Sequence, residues 1–125
     1  MNFLNNTHKN NYFKLLQKIN LHPGDTERKA LFYIISGNSD LFKKRCFIYD
    51  FFNNCIKPDL MNENVDFCSS SKSLIRLGFN LYNGYTDPYT SPLNILGSLN
   101  HSNLLLASNA INIRFENRID ILLDH

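Results

Sequence analysis

Apolar residues along this 125-residue chain recur three and four apart in several blocks, and clusters of Pro, Gly, Asn and Ser separate those blocks. Such spacing puts the apolar positions on one face of an α-helix. Tyr12, Phe13, Leu16 and Ile19 make the first stripe and predict a helix from about Thr7, as N-cap, to Ile19. His22-Pro23-Gly24 ends it, because proline and glycine both oppose helix continuation. Asp25 then offers an N-cap, and Glu27 places an anion at the positive end of a second helix. The centre of that helix, Ala30–Ile35, is apolar throughout, and Ser36-Gly37-Asn38 supplies a stop. A buried strand would read alike over so short a run, but cap and stop enclose about eleven residues, a helix length. This segment is expected to be the most buried helix.

Asn38 or Ser39 caps a third predicted helix through about Phe52, striped by Phe42, Cys46, Tyr49 and Phe52. The stretch Asn53–Phe67 contains Pro58, shows no sustained period and reads as a long connection. Ser69-Ser70-Ser71 offer caps for a fourth helix that carries Leu74, Leu77, Gly78 and Leu81 and stops near Asn83-Gly84. A glycine inside a helix costs about 1 kcal/mol against alanine, so Gly78 predicts the close approach of a neighbouring helix. Tyr85–Pro92, with its two prolines, is a loop, and Ser91 caps a short turn that runs to Gly97. The last segment starts near Asn100, with Leu104, Ala107, Ile111 and Phe115 on one face. Ile111, Ile113 and Phe115 also alternate with Asn112 and Arg114, and Arg118–Leu122 repeats that period of two. Over residues 111–123 a hairpin turning at Glu116-Asn117 therefore competes with helix. The expectation is helix to Phe115 and a tail that is a short hairpin or helix. The whole reads as an all-α protein, residues 1–125 forming one compact domain of five or six helices.

Composition supports a folded core. Ten Phe, eighteen Leu and eleven Ile argue against disorder, and a domain of this length needs no disulfide or metal staple. The longest apolar runs fall far short of the roughly 20 residues that span a bilayer, and Met1–Asn11 lacks the apolar stretch of a signal peptide. Three cysteines argue against a secreted disulfide scaffold, so a cytoplasmic setting with no membrane partner is expected. Nineteen Asn and eight Lys against one Val and three Ala point to AT-rich coding. Asn reading adenine edges is the less economical account of so scattered a residue.

Few residues form a catalytic constellation. His22 could act as a base oriented by Asp25 or Glu27, but capping, the helix dipole and ion pairing explain every neighbour of His22. Cys46, Cys55 and Cys68 lie nine and thirteen residues apart, whereas structural zinc uses ligands two to four apart. They are expected in the core or half-core, with no metal and no cofactor. No G-x-S-x-G elbow surrounds Ser69–Ser73, and no phosphate-binding glycine loop is present. The chain is expected not to be an enzyme.

Two features suit binding instead. Residues 1–57 hold nine Lys/Arg against four Asp/Glu, +5, while residues 58–125 hold four against seven, −3. If the second and third helices form an antiparallel hairpin, Lys43, Lys44 and Arg45 approach Arg28 and Lys29 in a five-charge patch for phosphates or an acidic partner. A merely solvated face accounts for the same charges. The second feature is the loop with Tyr82, Tyr85 and Tyr89, since tyrosines on a bounded loop offer large contact area at low entropy cost. Tyr82 can equally be core, with the others packed onto the domain.

Three stretches together carry a resemblance: HPGDTERKALFYIISGNSDLFKK (His22–Lys44) with IYDFFNNCIKP (Ile48–Pro58), SSSKSLIRLGFNLYNGY (Ser69–Tyr85), and LASNAINIRF (Leu106–Phe115). The chain resembles a family of small uncharacterised bacterial proteins of unknown function, often found on prophages and other mobile elements. The resemblance spans His22 to Phe115, and residues 116–125 extend past the family's usual end. It implies a compact bacterial cytoplasmic domain in a mobile-element setting and carries no catalytic or binding residues across. The expected function is a non-enzymatic binding protein acting on a host protein complex, in its sharpest form an inhibitor of a bacterial defence complex of the anti-CRISPR kind. Its contacts would be Tyr85, Tyr89, Arg28, Lys29, Lys43, Lys44 and Arg45. The alternative is a nucleic-acid-binding regulator using the basic patch.

Overall fold

The computed structural model describes residues 1–116. Among them are α1 (Asn6–Leu16), α2 (Thr26–Gly37), α3 (Ser39–Lys43), α4 (Arg45–Ile48), α5 (Ser69–Asn83), α6 (Pro92–Gly97) and α7 (His101–Arg114). A small antiparallel pair, β1 (Tyr49–Asp50) and β2 (Cys55–Ile56), and a 3-10 turn at Pro58–Asn62 join α4 to α5. The protein is thus mostly helical, with a single hydrophobic core. No described helix is long and apolar enough to cross a membrane.

Helix α2 is the axis of the fold, packed by α1, α5 and α7. Asp25 caps it by accepting the Arg28 N–H at 3.1 Å, and every residue from Ala30 to Ser36 is buried. Surrounding one helix on several sides explains why its sequence lacks a polar stripe. Gly78 of α5 lies against it as expected, since a Cβ there would stand 2.9 Å from Leu31 Cδ1. Helix α5 stops at Gly84, whose φ of +81° is the left-handed cap conformation that glycine adopts freely. Ser91 caps α6 by accepting the Asn94 N–H, and Asn100 caps α7 by accepting that of Asn103.

Several expectations need correction. The first helix is capped by Asn5, which accepts the His8 N–H at 2.8 Å, and it ends at Leu16. Its buried face is His8, Tyr12 and Leu15, while Phe13 is exposed. The face turned because the imidazole of His8 is buried with both nitrogens satisfied: Nδ1 accepts the Leu4 N–H and Nε2 bonds the Tyr33 carbonyl. Burial holds His8 below its ordinary pKa, against the opposing pull of that carbonyl. Only the acceptor form of Nδ1 suits this site, so His8 is neutral with its proton on Nε2.

The single helix expected from Ser39 to Phe52 is instead α3, α4 and strand β1. The Asp50 carboxylate accepts the N–H groups of Phe52 and Asn53 at 3.0 and 2.9 Å, a side-chain alternative to helical hydrogen bonds. Helix α7 buries Leu106, Ala107 and Ala110, and leaves Leu104 and Phe115 about 40% exposed. The small residues let α7 approach α2 closely: a Cβ on Gly37 would overlap Leu106 Cδ1 and come within 2.9 Å of His8 Nε2. Residues 111–114 belong to α7, which decides the described part of the strand-or-helix ambiguity, and residues 117–125 lie outside the described residues. The serine cluster does not cap α5 through a side chain; Cys68 is the N-cap residue. Cys46, Cys55 and Cys68 are all exposed, not core, because Ile48, Ile56 and Ser71 take the inward positions of the same elements.

Candidate functional site

The tyrosine loop is built around one carboxylate. Asp87 follows α5 and receives Arg76 Nε at 3.0 Å, the Tyr85 hydroxyl at 3.0 Å, the Tyr89 N–H at 2.8 Å and the Thr90 hydroxyl at 2.9 Å. Burial works against the charge, yet Arg76 and these hydrogen bonds outweigh it and hold the carboxyl below its ordinary pKa. The loop is therefore fixed by an ion pair whose two side chains are largely shielded from water. Tyr85 stacks edge-on against Phe79 at 5.6 Å, half-buried, and so belongs to the packing of the loop. Tyr89 is 60% exposed and lies over the Arg76 guanidinium at 5.0 Å. Tyr82 packs against the core beside Tyr49.

Directly after Tyr89, residues Thr90, Ser91 and Pro92 form one wall of an apolar cavity of about 130 Å³. Leu77, Asn80, Ile95, Leu96 and Ile111 complete it. Leu93, on the far side of that wall in sequence, is 83% exposed. An aromatic ring, an exposed leucine and a small apolar recess thus share one short stretch of chain.

The five basic residues sit on α2 and on the α3–α4 segment that follows it. Lys43 ends α3, Lys44 links it to α4, and Arg45 opens α4. Lys44 pairs with Asp40 at 2.9 Å, bonds the Asp66 carbonyl and lies over Phe67. Arg45 donates to the Phe42 carbonyl at 2.8 Å and stacks on its ring. Lys29 bonds the Pro23 carbonyl and lines a recess of about 520 Å³ with Thr26, Asn109 and Glu116. Lys43 is exposed.

Arg28 has the most connected side chain of the five. It donates to Asp25 at 2.8 Å, to the Tyr49 hydroxyl at 2.9 Å, and to the side chain and carbonyl of Asn54 at 3.2 and 3.1 Å. Tyr49, buried and pushed up to about 12 by that burial despite Arg28, also bonds Asn54. This clamp fixes the β1–β2 turn, and sequence reasoning missed it because its partners lie 21 and 26 residues away.

Neither proposed orienting carboxylate serves His22. Asp25 faces Arg28 and Glu27 faces Arg114, while His22 Nδ1 accepts the Gly24 N–H at 3.0 Å. Among the described residues no three acidic, His or Cys side chains converge on a metal position. The exposed Cys68 thiol stands 3.3 Å from both the Ser70 and the Ser71 hydroxyls. Those hydrogen bonds draw its pKa down to about 7.

The described residues form a small, mostly helical domain with a single hydrophobic core. The sequence profile of a family of unknown function, DUF6075, matches residues 1–123, and the chain belongs to that family. The match takes in the first twenty-one residues and the tail to residue 123, which corrects the expectation that the family ends near Phe115. No curated protein and no solved structure matches the chain.

Proposed function

We propose that this chain is a non-enzymatic protein-binding accessory protein of a phage or other mobile element, in its sharpest form an inhibitor of a bacterial defence complex. The observation that carries the binding part is the Tyr89–Leu93 stretch. A tyrosine held in place by an ion-paired arginine flanks an apolar recess sized for one partner side chain. Aromatic anchors beside such recesses concentrate interface energy, and a prefixed loop loses little entropy on docking. The mobile-element setting and the defence target rest on the family resemblance alone. The nucleic-acid reading is less supported, because Arg28, Lys44 and Arg45 spend their hydrogen bonds within the chain.

Expression of the chain in strains with active defence systems tests the proposal. Phage plating should rise, the defence complex should copurify, and Tyr89→Ala with Leu93→Asp should abolish both while lowering the melting temperature only slightly. Unchanged plating with no copurifying complex would end this reading. A gel shift at about 50 mM salt that weakens steeply with added salt would favour the nucleic-acid regulator instead.

A further inference from the structure

We propose that the β1–β2 hairpin is a second docking surface, on which Phe52 enters an apolar pocket bordered by carboxylates on a folded partner protein. The inference rests on the protein-binding reading but uses a different part of the molecule. Phe52 is 95% exposed, although burying such a side chain is worth about 1.5–3 kcal/mol. The turn that displays it is heavily determined. Asp50 holds the Phe52 and Asn53 N–H groups and the Asn53 side chain, and Asn54 takes a left-handed φ of +56°. Arg28, itself fixed by Asp25, grips Asn54 through side chain and carbonyl. Next to Phe52, Phe51 packs on the rings of Phe32 and Tyr49. So much ordering around one exposed ring means that binding it costs little further entropy.

Charge narrows the occupant. The Lys18 ammonium lies 5.5 Å above the Phe51 ring, and Lys57, just after β2, bonds the Cys46 carbonyl at 3.1 Å. Neither ammonium forms an ion pair among the described residues, whereas the Asp50 carboxylate is already met by three donors. An exposed aromatic on a hairpin against which these two ammonium groups lie suits an apolar pocket with an acidic rim. A lipid surface fits less well. It takes several apolar side chains at one depth, and here Asp50, Asn53 and Asn54 would be carried in with the ring.

The experiment places p-benzoylphenylalanine at position 52 or, separately, at position 89 of the full chain, produced in cells that natively encode it. After irradiation, adducts are identified by mass spectrometry. The identified protein is then purified and titrated with the wild type, Phe52→Ala, Phe52→Leu and the double variant Lys18→Glu/Lys57→Glu. The proposal expects one discrete protein adduct at position 52. It expects affinity to fall more than about tenfold for Phe52→Ala with unchanged melting, partial retention for Phe52→Leu, and weakening for the charge-reversed pair. An adduct at 89 but none at 52 overturns the hairpin proposal and leaves the protein-binding reading standing. Absence at both positions overturns both. An adduct to a second copy of this chain, to phospholipid or to nucleic acid overturns the proposed occupant, as does Phe52→Ala binding within about twofold of wild type.

Discussion

Helix α2 and the α4–β2 segment lie against each other through Phe32, yet they are held by different physics. The α2 cradle is apolar contact on several sides, with its backbone hydrogen bonds made internally. The hairpin is a two-residue ladder whose turn depends on polar side chains: Asp50 from within, and Arg28 reaching from α2. Burial stabilises the first by area and tolerates changes of detail. Directional bonds stabilise the second, so it should open without the first unfolding.

The largest expected effect tests the apolar side. Ile34 is fully buried in α2, so Ile34→Ala should cost about 2–5 kcal/mol, lowering the denaturant midpoint of the whole domain in one transition. A separate early transition would mean that the cradle is not one cooperative unit. The polar side comes next. Arg28→Ala removes a charged donor from Tyr49 and Asn54 and should cost about 1.5–3 kcal/mol. Hydrogen exchange should quicken at residues 49–56 while the centre of α2 keeps its protection. Uniform loss of protection across both regions would erase the contrast.

The same division separates what the sequence discloses from what it hides. Helix α2 is legible because its cap, apolar run and stop are neighbours in the chain, and Gly78 announces its partner by the cost a glycine carries. Ser91 and Asn100 are legible as caps for the same local reason. The hairpin is not, because Phe42, Cys46, Tyr49 and Phe52 keep a helical spacing through the point where the helix breaks. What breaks it is Asp50 bonding the two residues after Phe51, an option that periodicity does not register. Arg28 and Lys44 are legible only in part for a similar reason: Asp25 and Asp40 lie within four residues of them, but the Tyr49 hydroxyl and the Asn54 and Asp66 carbonyls are brought near only by folding. His8 was hidden by its polarity, since a stripe drawn from apolar residues passes it by. Tyr89 was legible as a surface aromatic, but the Asp87 centre that fixes it was not.

His8 offers a smaller test, since it is a polar group placed inside the apolar cradle. Its folded pKa lies below the ordinary 6.5, so between the two values the unfolded chain binds more protons than the folded one. The His8 contribution should be fully present above about pH 6.5 and be lost as pH falls toward the folded value, by about 1.4 kcal/mol for each unit of difference. Asp50 and Asp87, held below the ordinary carboxylate value of 3.8, add their own losses only at lower pH. Denaturation between pH 7 and 5 should therefore show a slope in the wild type that His8→Gln removes. A slope that persists in the variant would place the titration elsewhere.

The smallest stability effect is expected where the proposed contact is most important. Tyr89 makes no core contact; its ring lies on the Arg76 guanidinium, and only its backbone N–H bonds Asp87. Tyr89→Ala keeps that N–H and loses one exposed cation–π contact, worth about 0.5–1 kcal/mol. Tyr85→Ala, by contrast, removes both the Phe79 contact and a donor to the Asp87 carboxylate, and should cost visibly more. The pair thus separates a displayed tyrosine from a packed one within a single loop. Thermal melts should rank wild type and Tyr89→Ala together, with Tyr85→Ala below them, while partner binding falls for Tyr89→Ala. Equal destabilisation by both would show that the loop is held as one packed unit, leaving neither ring free for a partner.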